Sequence, residues 1–286
     1  MPGEDAGVTP DASVTIDAGV TDAGQDDAGV PDAGEVDAVL QRKDAGDDAG
    51  MTDDAGTPDA GMPEDAGVDA GEPEDAGFDA GFVTPAPGFG DISGACGPLS
   101  LTDLYSPQPS TYETRIDFAM LGFDAGLLTD GGYTLYTTPN AGGSSVESEV
   151  FSYEVLHRCE NATLAATETQ VVYVPAGSKK TDLVISLEGE IIGVSVARAY
   201  KFPPGSALTV ADATNLLNGK FSDILVSSQN VQPPWQWRKQ ILHVLAYDDV
   251  AKQAVIDAAM NHIDAGVRAD TILYITTTDG DDAFIY

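Results

Sequence analysis

Bulky apolar residues alternate with small or polar ones in two short runs, "DLVISL" (182–187) and "IIGVSV" (191–196). A period of two is typical of a β-strand that buries one face. The pattern predicts a β-hairpin that turns at Glu188 and Gly189, with Gly193, Ser195 and Ala197 on the face opposite its bulky side chains. A stripe of small residues favours a closely packed helix over a bound ligand.

Helical and strand patterns flank this hairpin. We predict helices that open at Ser144 and after a Thr209–Asp212 cap, and a third one in "VAKQAVIDAAMNHID". Further strands are predicted in "TETQVVYV" (167–174), "KQILHVLAY" and "DTILYITTT". The order αβββαβαβ, over about residues 144–278, predicts an α/β fold in which a mixed central sheet has helices on both faces. For residues 91–143 we predict irregular structure with one helical turn at "LTDLY".

Composition divides the chain near Gly90. Up to that residue there are 23 Asp and Glu against 2 Lys and Arg, so −21 of the net charge of −34 lies there and −13 in the remainder. Asp-Ala-Gly recurs irregularly from Asp5 to Gly81. Such a segment buries too little apolar surface to offset a backbone entropy of about 1–2 kcal/mol per residue. We predict a disordered, low-complexity acidic spacer over residues 1–90 and one folded domain over residues 91–286.

The acidic charge also limits the partners of the chain. A broad nucleic-acid-binding surface needs clustered Lys and Arg, and an anionic membrane would repel this chain. No apolar run of about eighteen residues occurs, so no transmembrane segment is predicted. The start "MPGEDAGV" lacks an export signal, as expected if the chain begins after its signal or at a misplaced start. The sequence names no specific partner and no oligomeric state.

Two smaller features bear on compartment and binding. Cys96 and Cys159 are the two cysteines of the chain; we expect a disulfide in an oxidising compartment and two buried thiols in the cytosol. The segment "PPWQWRKQ" clusters Trp235, Trp237 and Arg238. Such clusters stack bases or sugars in some proteins, but we interpret this one as a loop held in place by its two indoles.

The order αβββαβαβ is similar to the core of the restriction-endonuclease-like, PD-(D/E)XK, nuclease superfamily. In that family the first helix supplies a Glu, the strand before the hairpin turn supplies an Asp, and the next strand supplies Glu-x-Lys. The resemblance places Glu154 and Asp182 at the first two positions. It places Ser195 and Ala197 at the Glu and Lys positions, and neither can hold a metal ion or polarise a phosphate in the same way.

Substitutes for the missing residues lie nearby in the sequence. Lys220, on the second long helix, is where some divergent members of the superfamily carry a migrated lysine, and Glu168 and Lys180 flank the hairpin. If the site is active, the resemblance implies a Mg²⁺-dependent nuclease with Asp182, Glu154 and Lys220 as catalytic residues. Asp182 and Glu168 would then hold the metal ion.

Glu154 and the two lysines also have ordinary structural roles open to them. Glu154 has Arg158 at i+4 as an ion-pair partner. Lys180 can be a solvent-exposed charge on the hairpin. Lys220 can pair with Asp223 on an exposed face of its helix.

The Asp-Ala-Gly tract resembles the spacers that follow the lipidated cysteine in surface lipoproteins of myxobacteria, although no such cysteine precedes it here. We therefore expect an exported, surface-tethered protein, at the cell surface or extracellular. Its nuclease-like domain is expected to have lost standard catalysis and to act in binding or structure. The alternatives are an active metal-dependent nuclease with a rearranged site and a cytoplasmic scaffold whose acidic tail mimics nucleic acid.

Overall fold

The structure is a computed structural model that describes residues 83–97, 99–140 and 146–286. The predicted disorder of residues 1–82 and the helix start at Ser144 lie outside the described residues. Phe89, which the sequence assigned to the spacer, is 3% exposed. Its ring stacks on that of Phe151 with 5.5 Å between centroids. Packing against the core therefore begins before Asp91.

One seven-stranded sheet organises the described residues. The strands are β1 Asp91–Gly94, β2 Ser110–Asp117, β3 Thr163–Thr167, β4 Leu183–Leu187, β5 Glu190–Ala199, β6 Lys239–Ala246 and β7 Ile272–Asp279. The helices are α1 Leu101–Tyr105, α2 Asp130–Thr137, α3 Val146–Glu160, α4 Val210–Asn230, α5 Asp249–Asn261 and α6 Ala265–Arg268. Single 3-10 turns lie at Ala125–Leu127, Glu168–Gln170 and Ala283–Ile285.

The strands are ordered β1-β2-β7-β6-β5-β4-β3. The four central strands β2, β7, β6 and β5 run parallel, whereas β1, β4 and β3 pair antiparallel with their neighbours. The chain crosses from β5 to β6 through α4 and from β6 to β7 through α5 and the short α6. The predicted α/β fold with a mixed sheet is therefore confirmed, and the order αβββαβαβ holds from α3 to β7.

Each face of the sheet carries its own helices. Leu183, Ile185 and the other bulky side chains of the hairpin pack with α3 in one apolar cluster. On the other face, Ala197 and Ala199 of β5 pack with Leu217 of α4 and with residues of α5. Ala197 and Ala199 thus admit a closely packed helix, as the sequence predicted, whereas Gly193 of the same face lies against the Trp237 ring. The Thr209 cap of α4 is also present, with its side chain accepting from the Asp212 N–H.

The prediction of irregular structure before residue 144 is wrong. β2 pairs with β7 along its whole length, from Ser110 opposite Ile272 to Asp117 opposite Asp279. β1 pairs with β2 at the edge of the sheet. The sheet therefore extends beyond residues 144–278, and the helical turn predicted at "LTDLY" is α1.

The strand predicted over residues 167–174 is also misplaced. β3 ends at Thr167, and the chain then makes a 3-10 turn. Tyr173 forms a single bridge with Val231, and the Val174 N–H donates to the Asn230 carbonyl oxygen over 3.0 Å. The alternation of buried and exposed residues there is real, but the segment packs beside the end of α4 instead of pairing in the sheet.

A disulfide joins Cys96 to Cys159, with 4.6 Å between their Cα atoms. Cys159 is 0% exposed at the end of α3, so the bridge ties the segment after β1 to the core. The expected pairing of the two cysteines is therefore present. In the three described ranges, none of the helices combines the length and hydropathy that crossing a membrane requires.

Candidate functional site

Asp182 lies one residue before β4 and is held by the neighbouring strand. Its N–H donates to the Val194 carbonyl oxygen over 3.1 Å, and its Oδ2 accepts from the Val196 N–H at 2.6 Å. Burial raises the pKa of the Asp182 carboxyl above its usual value, against the opposing effects of the Lys220 charge and the Val196 N–H. Lys220 on α4 is therefore within electrostatic reach of Asp182.

Three further residues complete what we call the Asp182 cluster. Burial, together with the charges of Asp182 and Glu168, raises the pKa of Tyr173 to about 12. The Tyr173 hydroxyl oxygen accepts from the Thr181 N–H at 2.9 Å. Glu168 pairs with Lys180, with 3.9 Å between Oε1 and Nζ. The Asp182 cluster thus comprises Asp182, Glu168, Tyr173, Lys180 and Lys220.

Glu154 does not join this cluster, because α3 and α4 lie on opposite faces of the sheet. Its Oε2 accepts from Arg158 Nε at 2.8 Å, and its Oε1 accepts from the N–H and the hydroxyl of Thr129, both at 2.7 Å. The Glu154 side chain is 0% exposed and that of Arg158 is 3% exposed. The i+4 ion pair considered for Glu154 is therefore present.

A glycine in α2 makes room for the Glu154 carboxylate. A Cβ atom added at Gly132 would lie 2.0 Å from Glu154 Oε1, so only glycine allows α2 to approach α3 at this point. The sequence "TDGGYT" carried this signal, but it did not reveal which residue the glycine faces.

The remaining pairing that we considered was that of Lys220 with Asp223. In the structure Asp223 instead forms an ion pair with Lys179, with 3.2 Å between Oδ1 and Nζ.

The donor set of the Asp182 cluster is small for a metal site. Across the described ranges, His, Cys, Asp and Glu form no group of three or more that could hold a metal ion. Hard cations such as Mg²⁺ bind oxygen ligands, and here the cluster offers two carboxylates, one of which is paired with Lys180. A single lysine and a single partly buried carboxylate can still bind or polarise a polar ligand.

His243 forms a second buried polar group, in the core. Its Nδ1 lies 2.8 Å from the Ser152 hydroxyl, and its Nε2 lies 2.7 Å from that of Thr276. Burial lowers the pKa of His243 to about 3, so the ring is neutral at physiological pH. All three residues are 0% exposed, which gives this chain of hydrogen bonds a structural role instead of a catalytic one.

A groove lies beside the hairpin turn, and the sequence did not show which residues meet there. The groove is lined by Gly189, Glu190, Ile191, Gln236, Trp237 and Arg238, and we call it the Trp237 groove. The "PPWQWRKQ" segment signalled Trp237 and Arg238. Nothing in the sequence linked them to Glu190 or to Tyr105, whose ring lies 4.3 Å from the Arg238 guanidinium.

No family model matches this chain, and no solved structure matches it. Among curated proteins, the chain is similar to the AAC-rich mRNA clone AAC4 protein of Dictyostelium discoideum, with 37% identity over 155 residues. The match covers 52% of this chain and 22% of that protein, so the chain spans about a fifth of the length of the relative that it matches.

Proposed function

We propose that this chain is an exported, surface-tethered protein whose folded domain resembles a nuclease but acts in binding or structure. The surroundings of Asp182 carry the proposal. Continuing the pairing of β4 with β5 by one residue places Ser195 opposite Asp182. The Val196 N–H already donates to one oxygen of the Asp182 carboxylate. Metal-dependent hydrolysis needs ligands that fix the ion and a group that orients the attacking water. β5 supplies neither.

Glu154 offers no replacement ligand. Its two carboxylate oxygens are used by Arg158 and Thr129, on the face of the sheet opposite α4. Bringing that carboxylate to Asp182 would leave the Arg158 charge buried without its partner, which is costly. The family position for a helical acid is thus filled by a residue with a structural role.

The disulfide supports the exported part of the proposal. Disulfides persist in oxidising compartments and are rare in the cytosol. The bridge between Cys96 and Cys159 lies within the folded domain, and the acidic Asp-Ala-Gly tract precedes that domain in the sequence. A tract of this composition is suited to hold a domain away from a surface, since like charges extend the chain.

A metal-dependent nucleic-acid phosphodiesterase with a rearranged site is the second candidate. The observation that favours it is that the charge of Lys220, on α4, acts to lower the pKa of Asp182. Glu168 lies close enough to influence the same Tyr173 hydroxyl. In this alternative, Asp182 and Glu168 would hold Mg²⁺, and Lys220 would stand in for the missing lysine.

Cleavage assays separate the two candidates. We expect the purified full chain to leave single- and double-stranded DNA and RNA intact in Mg²⁺ or Mn²⁺, because the Asp182 cluster lacks a complete ligand set. Asp182→Ala and Lys220→Ala should be indistinguishable from wild type in gel-based cleavage. The proposal fails if wild type shows metal-dependent cleavage that Asp182→Ala abolishes while its melting temperature is retained.

A further inference from the structure

The Trp237 groove is large enough for a small ligand. It is an open groove of about 500 Å³ between the β4–β5 turn and the loop that leads into β6. Ligand sites in proteins commonly range from about 300 to 1,000 Å³ and combine apolar walls with a few placed polar groups. In this groove the apolar wall is Trp237, and the polar groups are Glu190, Gln236 and Arg238.

The Trp237 ring is fixed in one orientation. One side of its six-membered ring packs against the backbone of Gly193, where an added Cβ atom would lie 2.9 Å from the ring. Its Nε1–H donates to the Ser228 hydroxyl of α4 over 3.0 Å. Glycine at position 193 thus lets the indole lie flat on β5. A ring held in this way provides a stacking surface that loses little freedom when a ligand binds.

The two charged groups of the groove are also held in place. The Tyr105 hydroxyl donates to Glu190 Oε1. The Arg238 guanidinium lies over the Tyr105 ring, and its Nε is 3.9 Å from Glu190 Oε2. A carboxylate and a guanidinium therefore stand side by side at the rim of the groove.

A buried lysine places Tyr105 at this rim. Lys239, the first residue of β6, is 2% exposed. Its Nζ donates to the carbonyl oxygens of Asp103, Ser106 and Gln108, at 2.8 to 3.1 Å. These bonds fix the last turn of α1 beside the loop that carries Trp237 and Arg238. Tyr105 is therefore a positioning residue for Glu190 and Arg238.

We propose that the Trp237 groove binds a neutral saccharide, and this inference rests on the proposed function of the domain in binding. The apolar C–H face of a sugar ring fits the electron-rich face of an indole. Adjacent sugar hydroxyls match the paired oxygens of Glu190, the fork of Arg238 and the amide of Gln236. A polyanion is disfavoured, because the Arg238 charge is offset by Glu190 and the folded part carries a net charge of −13.

Tryptophan fluorescence of the full chain tests this proposal, with neutral hexasaccharides of glucose, mannose, galactose, xylose and N-acetylglucosamine as probes. The chain has two tryptophans, and Trp235→Phe, as the matched control, leaves Trp237 as the only reporter. At least one saccharide should change the emission of wild type and of Trp235→Phe with the same affinity. Arg238→Ala should weaken that binding about tenfold or more, as expected for the loss of a charge-assisted hydrogen bond.

Arg238→Lys should lose nearly as much affinity as Arg238→Ala, because lysine keeps the charge but not the planar fork. Arg238 is exposed, so both variants are expected to fold even if Trp237→Ala does not. The proposal is overturned if no saccharide binds, if binding ignores the Arg238 variants, or if single-stranded DNA binds at Trp237 instead. If no saccharide binds and no cleavage occurs, the saccharide proposal fails but the proposed function stands. If cleavage occurs and depends on Asp182, the proposed function is rejected whether or not a saccharide binds.

Discussion

Replacing Cys96 by serine is expected to lower the free energy of unfolding by about 4 kcal/mol. The disulfide joins positions 63 residues apart, and closing so long a loop removes much of the entropy of the unfolded chain. Cys96 is the better position to change, because Cys159 is 0% exposed and its replacement would also disturb the core. Urea unfolding of the oxidised wild type and of Cys96→Ser measures the difference.

Reduced wild type provides the control for this prediction. It should unfold at the same urea concentration as Cys96→Ser, since both lack the same cross-link. Equal stability of oxidised wild type and Cys96→Ser would show that the bridge does not constrain the chain. Two free thiols in protein isolated from its native compartment would refute the bridge and would remove the main support for export.

Glu154→Ala is expected to cost about 3–5 kcal/mol of stability, as found when one partner of a buried ion pair is removed. The change would strand the Arg158 guanidinium, whose side chain is 3% exposed, and would leave the Thr129 N–H without its acceptor. Arg158 keeps its contacts with the Leu127 carbonyl oxygen and with the ring of Phe89. Neither contact neutralises the charge. Thermal and urea unfolding measure the loss.

Glu147→Ala is the matched control on the same helix. Glu147 lies in the first turn of α3 and is only partly buried, so its loss should cost about 1 kcal/mol or less. If Glu154→Ala is as stable as Glu147→Ala, the structural role of Glu154 is wrong. A variant of Glu154 that kept its stability but lost a metal-dependent activity would instead give Glu154 the catalytic role of the nuclease family.

The hairpin and the helices that follow it could be predicted because their patterns are strong. The period of two around Glu188 and Gly189 and the Thr209 cap of α4 are local signals, and both are present in the structure. β2 was missed because "STYETRID" is rich in polar residues. Its first four residues are not fully buried, and only Thr114 and Ile116 are. Its pairing with β7 is set by contacts more than 150 residues apart in the chain.

β3 shows how a correct period can lead to a wrong assignment. Val171 and Tyr173 are buried while Val172 and Val174 are exposed, as a strand pattern predicts. The segment nevertheless lies beside Val231, at the end of α4, because a backbone next to a helix end can alternate in the same way. Sequence period gives the exposure of each residue, but it does not name the partner of the segment.

The candidate sites were predictable only in part, for a similar reason. The superfamily resemblance placed Lys220 near Asp182, and the structure brings them within electrostatic reach. It also placed Glu154 there, but helical spacing alone could not show that Thr129 and Arg158 would hold that carboxylate on the other face. For the Trp237 groove, the sequence showed the aromatic and basic cluster but not the tertiary contacts that add other residues to it.

The effect of Mg²⁺ on the melting temperature of wild type and Asp182→Asn tests the central claim most directly. Burial raises the pKa of Asp182, so its ionised form destabilises the fold at neutral pH, and this cost disappears as the pH falls through the raised pKa toward 3.8. Asp182→Asn should therefore melt above wild type at pH 7, and millimolar Mg²⁺ should shift both proteins equally by screening the acidic chain. A Mg²⁺-dependent rise in wild type that Asp182→Asn lacks would mean that the folded state binds the ion at Asp182, and it would contradict the account.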